Sequence, residues 1–326
     1  MKNTELAFVA AFLAAAPAPA QVLRVQEMNT RQIAALDRAR TAVILPGGIL
    51  EQHGPYLPSF ADGYQNERLA RDLADAIVAR PGWTVLLFPM IPLGSGGANE
   101  IGGKYSFPGT YAVRPSTVRA IFMDLATELG EQGFRHVFVV HNHGSPDHNR
   151  ALDQAGDYFR DTYRGQMVHL KGLIGFSDCC ARRNALLGPQ GIAEDGFSVH
   201  AHASEHARLM FLRPDLVDQG VRTAPPVTGG DFARLVEIAR ADGWPGYFGA
   251  PARATPALGA IATSDDAPLI AFALKVLDGQ DASSAPRLAA MMLGNPAILG
   301  VMERSRAHDA ETEARQRAWL KAKGLE

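Results

Sequence analysis

Three carboxylates and two imidazoles in this sequence stand where they could hold metal ions. Glu51 and His53 are two residues apart in Glu51-Gln-His53-Gly54, so in extended backbone both side chains point to one side. Asp62 comes eleven residues after Glu51, on the expected first turn of the following helix. His143 lies in His141-Asn-His143-Gly144, and Glu205 in His200-Ala-His-Ala-Ser-Glu-His206. Carboxylates together with imidazoles suit borderline divalent ions such as zinc, manganese or iron. A carboxylate between two such ions would bridge them, and a paired-metal centre activates water and polarises a carbonyl. Each residue also has a plainer use. Glu51 could accept from a helix end, Asp62 could favour a helix dipole, and His143 could bond to loop backbone. What favours metal is their joint placement at the ends of two apolar strands.

The elements that must position them follow from hydrophobic periodicity. Ala42 to Leu45 reads as a buried strand running into Pro46-Gly-Gly48, and the helix after it spans about Asp62 to Arg80, with Leu69, Leu73, Ile77 and Val78 on one face. Thr84 to Phe88 reads as a second strand. Ser116 to Gln132 reads as a helix capped by Ser116 and stopped at Gly133. His136 to Val140 is a strand, Asp147 to Tyr163 a helix, and Met167 to Leu173 another strand. Strands separated by helices of this length imply right-handed crossovers and a mainly parallel sheet covered by helices, in one α/β domain. Sites in such sheets form at the carboxyl ends of the strands. Here two of those ends carry the polar clusters, so the clusters are expected to face one another.

The 326 residues carry 32 Lys+Arg against 34 Asp+Glu, which leaves no basic footprint for nucleic acid and no basic run for a membrane surface. Ten histidines are present, seven of them between His141 and His206, which marks that region. The two cysteines, Cys179 and Cys180, are adjacent and supply neither a disulfide framework nor a CxxC zinc pattern. Residues 1–20 read as a signal peptide: Lys2, an apolar run from Leu6 to Ala16, then Ala18-Pro-Ala20 before a cleavage point at Gln21. The mature protein is thus expected to be periplasmic or secreted, with no membrane segment. The main domain is placed at residues 21–300. Residues 301–326 form a charged amphipathic helix whose sparse apolar positions suit a solvated face or a subunit contact.

Pro46-Gly-Gly-Ile-Leu-Glu51-Gln-His53-Gly-Pro-Tyr-Leu-Pro58, followed by Asp62, resembles the opening motif of the creatininase (creatinine amidohydrolase) family. The likeness continues through Phe107-Pro-Gly-Thr110, Gly133-Phe-Arg135, His143-Gly144, Leu212-Arg-Pro-Asp-Leu-Val217 and the Gly246 to Thr255 stretch, about residues 40 to 265 in all. The resemblance implies a three-layer α/β/α amidohydrolase with two divalent metal ions (zinc, manganese or iron), commonly a homo-hexamer. It implies that Glu51, His53, Asp62, His143 and Glu205 are metal ligands, with Asp62 the bridge. The family's histidine for proton transfer matches His200.

The departures from the family concern the substrate wall. Tyr56 stands where the second His of the opening motif is usual, Lys104 replaces a usual His, and Glu205 is followed by His206-Ala207 rather than Thr-Ser. Ser145 stands where creatininase itself has a Glu, which argues against creatinine as substrate. The expected reaction is hydrolysis of a C–N bond in a small amide, formamide or lactam by hydroxide held at the metals, with His200 moving the proton. His202 and His206 could share that role or line the site. Asn142, Lys104 and Tyr56 are candidate substrate contacts, while Trp244 and Tyr247 could equally wall the pocket, pack in the core or make subunit contacts. Three other classes remain: a non-catalytic periplasmic metal-binding protein, a dinuclear-metal hydrolase acting on esters such as phosphates, and a hydrolase using Cys179 or Cys180.

Overall fold

The computed structural model describes residues 21–176 and 179–326, with the side chains of Cys179 and Cys180 excepted; the expected signal peptide lies outside the described residues. The strands are β1 (Val22–Arg24), β2 (Thr41–Pro46), β3 (Thr84–Leu87), β4 (His136–Val140) and β5 (Gln166–His169). They form one parallel sheet in the order β1-β3-β2-β4-β5. The first helices are α1 (Thr30–Ala34), α2 (Ala61–Val78), α3 (Pro115–Glu131) and α4 (Pro146–Tyr163). After the sheet come α5 (Cys179–Asp195), α6 (Ala203–Leu212), α7 (Phe232–Arg240), α8 (Pro256–Ser264) and α9 (Ala267–Leu277). The chain closes with α10 (Leu288–Leu293) and α11 (Pro296–Ala322).

Alternation along β2 builds the two cores. Ala42 and Ile44 face Leu69, Leu73 and Ile77 of α2 and Phe272 and Val276 of α9. Val43 and Leu45 point the other way, against Phe122 and Ala126 of α3 and Leu152 and Phe159 of α4. A strand covered on both faces reads as a continuous apolar run, and all six β2 residues are buried. The result is the expected three-layer α/β/α arrangement. A third apolar cluster lies beyond the sheet and joins Ile101, Phe232, Trp244 and Phe248 to Ile298, Val301 and Met302.

Some boundaries differ from the periodic reading. Ser116 lies inside α3, which starts with Pro115 at its first turn and has no side-chain cap at Arg114. Proline there costs no hydrogen bond, because the first N–H groups of a helix have no intrahelical partner. The strand expected from Met167 to Leu173 stops at His169 and passes into a 3-10 turn, Leu170–Gly172. The apolar stretch Pro256–Leu277, long and apolar enough by composition to cross a membrane, is two helices with Asp265 and Asp266 at their junction. Helix α11 starts at Pro296; Ile298, Val301, Met302 and Ser305 bury one face of its first turns, and no residue after Ser305 is buried, as the solvated-face expectation has it.

Candidate metal centre

The chain moves from β2 to β3 on one side of the sheet and later places β4 on the other side of β2. That reversal opens a crevice at the carboxyl ends of β2 and β4, where loops diverge. The register sets Pro46 opposite Val140, and Gly47 N–H donates to the Val140 carbonyl at 3.0 Å. The two polar clusters therefore meet, as the sequence led one to expect. Gly48 lets the β2 loop lie on the first turn of α2, since a Cβ there would come within 2.8 Å of the Gly63 nitrogen. This close approach brings Glu51 beside Asp62.

The five expected ligands and His200 converge. His143 Nδ1 lies 3.1 Å from Asp62 Oδ2 and 3.2 Å from Glu51 Oε2. His53 Nε2 is 3.7 Å from Asp62 Oδ1, and His200 Nδ1 is 3.7 Å from Glu51 Oε1. Among the described residues, three groups have ligand atoms close enough together for one ion: Glu51-Asp62-His143, His53-Asp62-Glu205 and Glu51-His53-His200. Asp62 belongs to the first two, Glu51 to the first and third, and His53 to the second and third. The backbone orients the rings: His53 Nδ1 is 3.0 Å from the Glu51 carbonyl, and His143 Nε2 is 3.0 Å from the Gly96 carbonyl. Each ring thus turns its other nitrogen inward. Gly96 has φ +78°, and a Cβ there would sit 2.1 Å from Ser145 Oγ. At the α6 end, Ala201 adopts φ +48° and donates its N–H to Glu205.

The donor set fits metal. His53 Nε2 is buried with no hydrogen-bond partner, and three buried or half-buried carboxylates share one small space. Buried charges of one sign need counter-charge. In the metal-free chain protons supply it. Burial alone would raise the Glu51 carboxyl, yet His200, His143 and His53 hold it down to about 2. Burial alone would lower His53, but Asp62, Glu51 and Glu205 lift it to about 9. His143 is likewise raised well above its ordinary value against burial by Glu51 and Asp62. Glu205 falls well below the carboxylate range, burial notwithstanding, because of His202, His53 and His200. Burial lowers His200, with Glu51 opposing.

A cavity of about 340 Å3 opens onto Glu51, Asp62, His143, His200 and Glu205, with Asn142 and His202 also on its wall. The other expected contacts lie elsewhere. Lys104 Nζ donates to the Ala241 carbonyl at 2.7 Å and sits over the Trp244 ring, because the Gly103 turn carries it away from the cavity. Tyr56 packs against His206 and Tyr247, its ring centres 6.3 and 6.0 Å from theirs. Trp244 and Tyr247 are core residues: Trp244 Nε1 donates to the Tyr247 carbonyl and Tyr247 Oη to that of Pro225. His206 is also off the cavity, and burial pushes it down to about 4. Of the remaining clustered histidines, His141, His148 and His169 pack behind the centre, with His148 edge-on to His143 at 5.2 Å.

Several wall residues escaped the sequence reading. Gln52 approaches His200, its carbonyl 2.7 Å from His200 Nε2. Ala98 N–H binds Glu51 Oε1. Gly96 and Ala98 follow β3, a third strand end, and the run Gly94-Ser-Gly-Gly97 was the available signal. Ile298 and Met302 come from the C-terminal helix, which nothing in its sequence marks as a wall.

Comparison with known proteins agrees with this geometry. The family model described as "Creatininase: Creatinine amidohydrolase" matches residues 26–267. The chain is 29% identical over 218 residues to a mycofactocin precursor peptide peptidase from Mycobacterium ulcerans (strain Agy99), covering 65% of this chain and 72% of that protein. Its fold is similar to that of a creatinine amidohydrolase (creatininase) structure, at TM-score 0.54 and 21% identity, over 78% of this chain and 97% of that one. The manganese form of creatininase is similar at TM-score 0.54 and 21% identity, over 78% of this chain and 98% of that one. With a family match over most of its length, and its fold and strand-end carboxylates to agree, the chain belongs to the creatininase family of hydrolases.

Proposed function

We propose that this chain is a metal-dependent amidohydrolase that holds two divalent cations and cleaves the C–N bond of an amide. The observation that carries the reading is the pair of convergent groups Glu51-Asp62-His143 and His53-Asp62-Glu205, which share Asp62 alone and together take up all five expected ligands. One ion would lie in each, with Asp62 between them. Bound there, zinc, manganese or iron ions would make water a nucleophile near neutral pH and polarise the carbonyl. Glu51, Asp62 and Glu205 carry three negative charges, so two divalent ions leave the pocket slightly positive, as suits a carbonyl oxygen gaining charge.

His200 is the proton carrier in this reading. Its Nε2–H donates to the Gln52 carbonyl, which leaves the Nδ1 lone pair turned toward Glu51. Burial keeps the ring neutral near pH 7, so Nδ1 can take a proton and pass it to the departing nitrogen. Asn142 stands on the cavity wall as a substrate contact. The peptidase relative supports extending the substrate range from small amides, formamides and lactams to short peptides. Ser145, in place of the Glu of creatininase, speaks against creatinine. A protein that only stores metal has no use for a substrate-sized cavity over its ligands.

The test is Asp62→Asn in protein reconstituted with manganese or zinc. Elemental analysis should find both ions lost, and turnover of formamides, lactams, small amides and short peptides should go with them. Full occupancy in that variant would refute the two-ion assignment.

A further inference from the structure

Two cavities of opposite character meet at Glu205 and Asn142. The one over the ligand groups has an apolar wall formed by Ile101, Phe232, Leu288, Met292, Ile298 and Met302. Four of these six lie beyond residue 267, where the family match ends, so most of the wall belongs to this chain's own C-terminal segment. Arg306 pins that segment: its guanidinium grips Asp147 at 2.7 and 2.8 Å, which ties α11 to the start of α4.

The second cavity, about 220 Å3, shares Asn142, Lys171, His202 and Glu205 with the first and continues past Arg183 and Arg208. Lys171 Nζ and Arg208 Nη1 both hold Asp266, at 2.8 and 3.1 Å, while Arg182 holds Asp265. Lys171, Arg182, Arg183 and Arg208 thus stand against Asp265, Asp266 and the shared Glu205, a surplus of one positive charge, and Lys171 and Arg208 share Asp266. Both are largely shielded from solvent, with side-chain exposures of 14% and 15%. Shielded donors with spare N–H groups and surplus positive charge form strong charge-assisted bonds to an added carboxylate.

We infer that the substrate is an amide with an apolar group on one side of the scissile bond and a carboxylate on the other, the two ends lying in the two cavities. The inference rests on the amidohydrolase reading above and adds the substrate class. N-acylated amino acids and short peptides with a free C-terminus share this chemistry. Hydrolysis consumes one water: its oxygen bonds to the carbonyl carbon, the C–N bond breaks, and the nitrogen leaves with a proton. Apolar burial favours a longer aliphatic chain by about threefold or more per methylene, and the cations favour the anion over a neutral amide.

The experiment compares kcat/KM of the manganese-loaded protein for N-isovalerylglycine, leucylglycine, N-acetylglycine and N-methylisovaleramide. N-isopentylsuccinamate presents the same two ends with the amide reversed. At least one of the compounds bearing both ends should exceed N-acetylglycine and N-methylisovaleramide by tenfold or more; leucylglycine against N-isovalerylglycine separates a peptide from an acyl source. Lys171→Met should reduce the ratio of carboxylate to neutral substrate at least fivefold, mainly through KM. Met292→Ser should reduce the ratio of isovaleryl to acetyl. Calorimetric binding of N-isovalerylglycine to the manganese-loaded His200→Ala protein should weaken at least fivefold on adding Lys171→Met, with an unchanged melting profile as the control for folding. Amide turnover with equal kcat/KM across the set overturns this inference and leaves the amidohydrolase reading standing. No turnover of any amide, formamide, lactam or peptide overturns that reading, and the inference with it.

Discussion

Glu100→Gln tests the electrostatics of the cavity wall directly. Glu100 lies in the 3-10 turn Ala98–Gly102, half-buried and facing the cavity. Burial pushes its carboxyl from 4.5 up to about 7; Asp309 adds to this, while Ser305 and His143 oppose it. With the folded value above the unfolded one, the native state binds the proton more tightly. Stability therefore falls as pH rises from about 4.5 to about 7, and above that the full penalty of ionising a half-buried carboxyl is present. At 1.36 kcal/mol per pH unit the interval corresponds to about 3.4 kcal/mol, which partial exposure reduces to about 1–3 kcal/mol. Gln keeps the shape and removes the charge. In EDTA-treated protein, urea unfolding at pH 8 should find Glu100→Gln more stable than wild type by about 1–3 kcal/mol. The gap should close as pH falls toward 5. A difference that is the same at pH 5 and pH 8 would show that the carboxyl does not ionise across that range, and the reasoning would fall.

Three further outcomes follow from the same geometry. His200→Ala should keep both metals and lose about 10²–10⁴-fold in kcat, because His200 lies outside the two ligand groups that share Asp62; metal loss by elemental analysis would make it a ligand instead. Gly96→Ala forces a side chain into a φ of +78° against Ser145 and moves the carbonyl that holds His143. It should cost about 1–3 kcal/mol in urea unfolding and weaken metal binding about 10–100-fold in chelator competition. Arg306→Ala leaves the buried Asp147 with Arg150 as its one ion-pair partner among the described residues and removes the ion pair between α11 and α4. A loss of about 1–3 kcal/mol is expected, together with a higher KM for aliphatic amides; an unchanged KM would separate the clamp from the cavity.

Much of this molecule is local in origin. The apolar run Ala42 to Leu45 in β2, the 3.6-residue spacing of Leu69, Leu73 and Ile77, and the glycine closing α3 follow from short-range rules that tertiary packing did not override. The ligand types were legible for a similar reason: Glu51, His53, Asp62 and His143 sit within a few residues of strand or helix ends, so their placement needs only the sheet order. Lys104 and Tyr56 lie off the cavity, and Trp244 and Tyr247 pack in the core, because a loop side chain's direction depends on contacts far along the chain, such as Ala241 for Lys104 and Pro225 for Tyr247.

By itself, then, the sequence determined the parallel sheet, the two polar strand ends and the residue types able to hold divalent ions. Only the tertiary structure decided that Gly96 and Gln52 hold the imidazoles of His143 and His200, and that α11 walls the cavity. The physical reason is range. Hydrophobic periodicity and helix-end chemistry act over a few residues, whereas a cavity wall is made by surfaces that meet across as many as 200 positions, as Ile101 and Met302 do. No local pattern in the C-terminal helix distinguishes the face that meets the cavity from one that meets water.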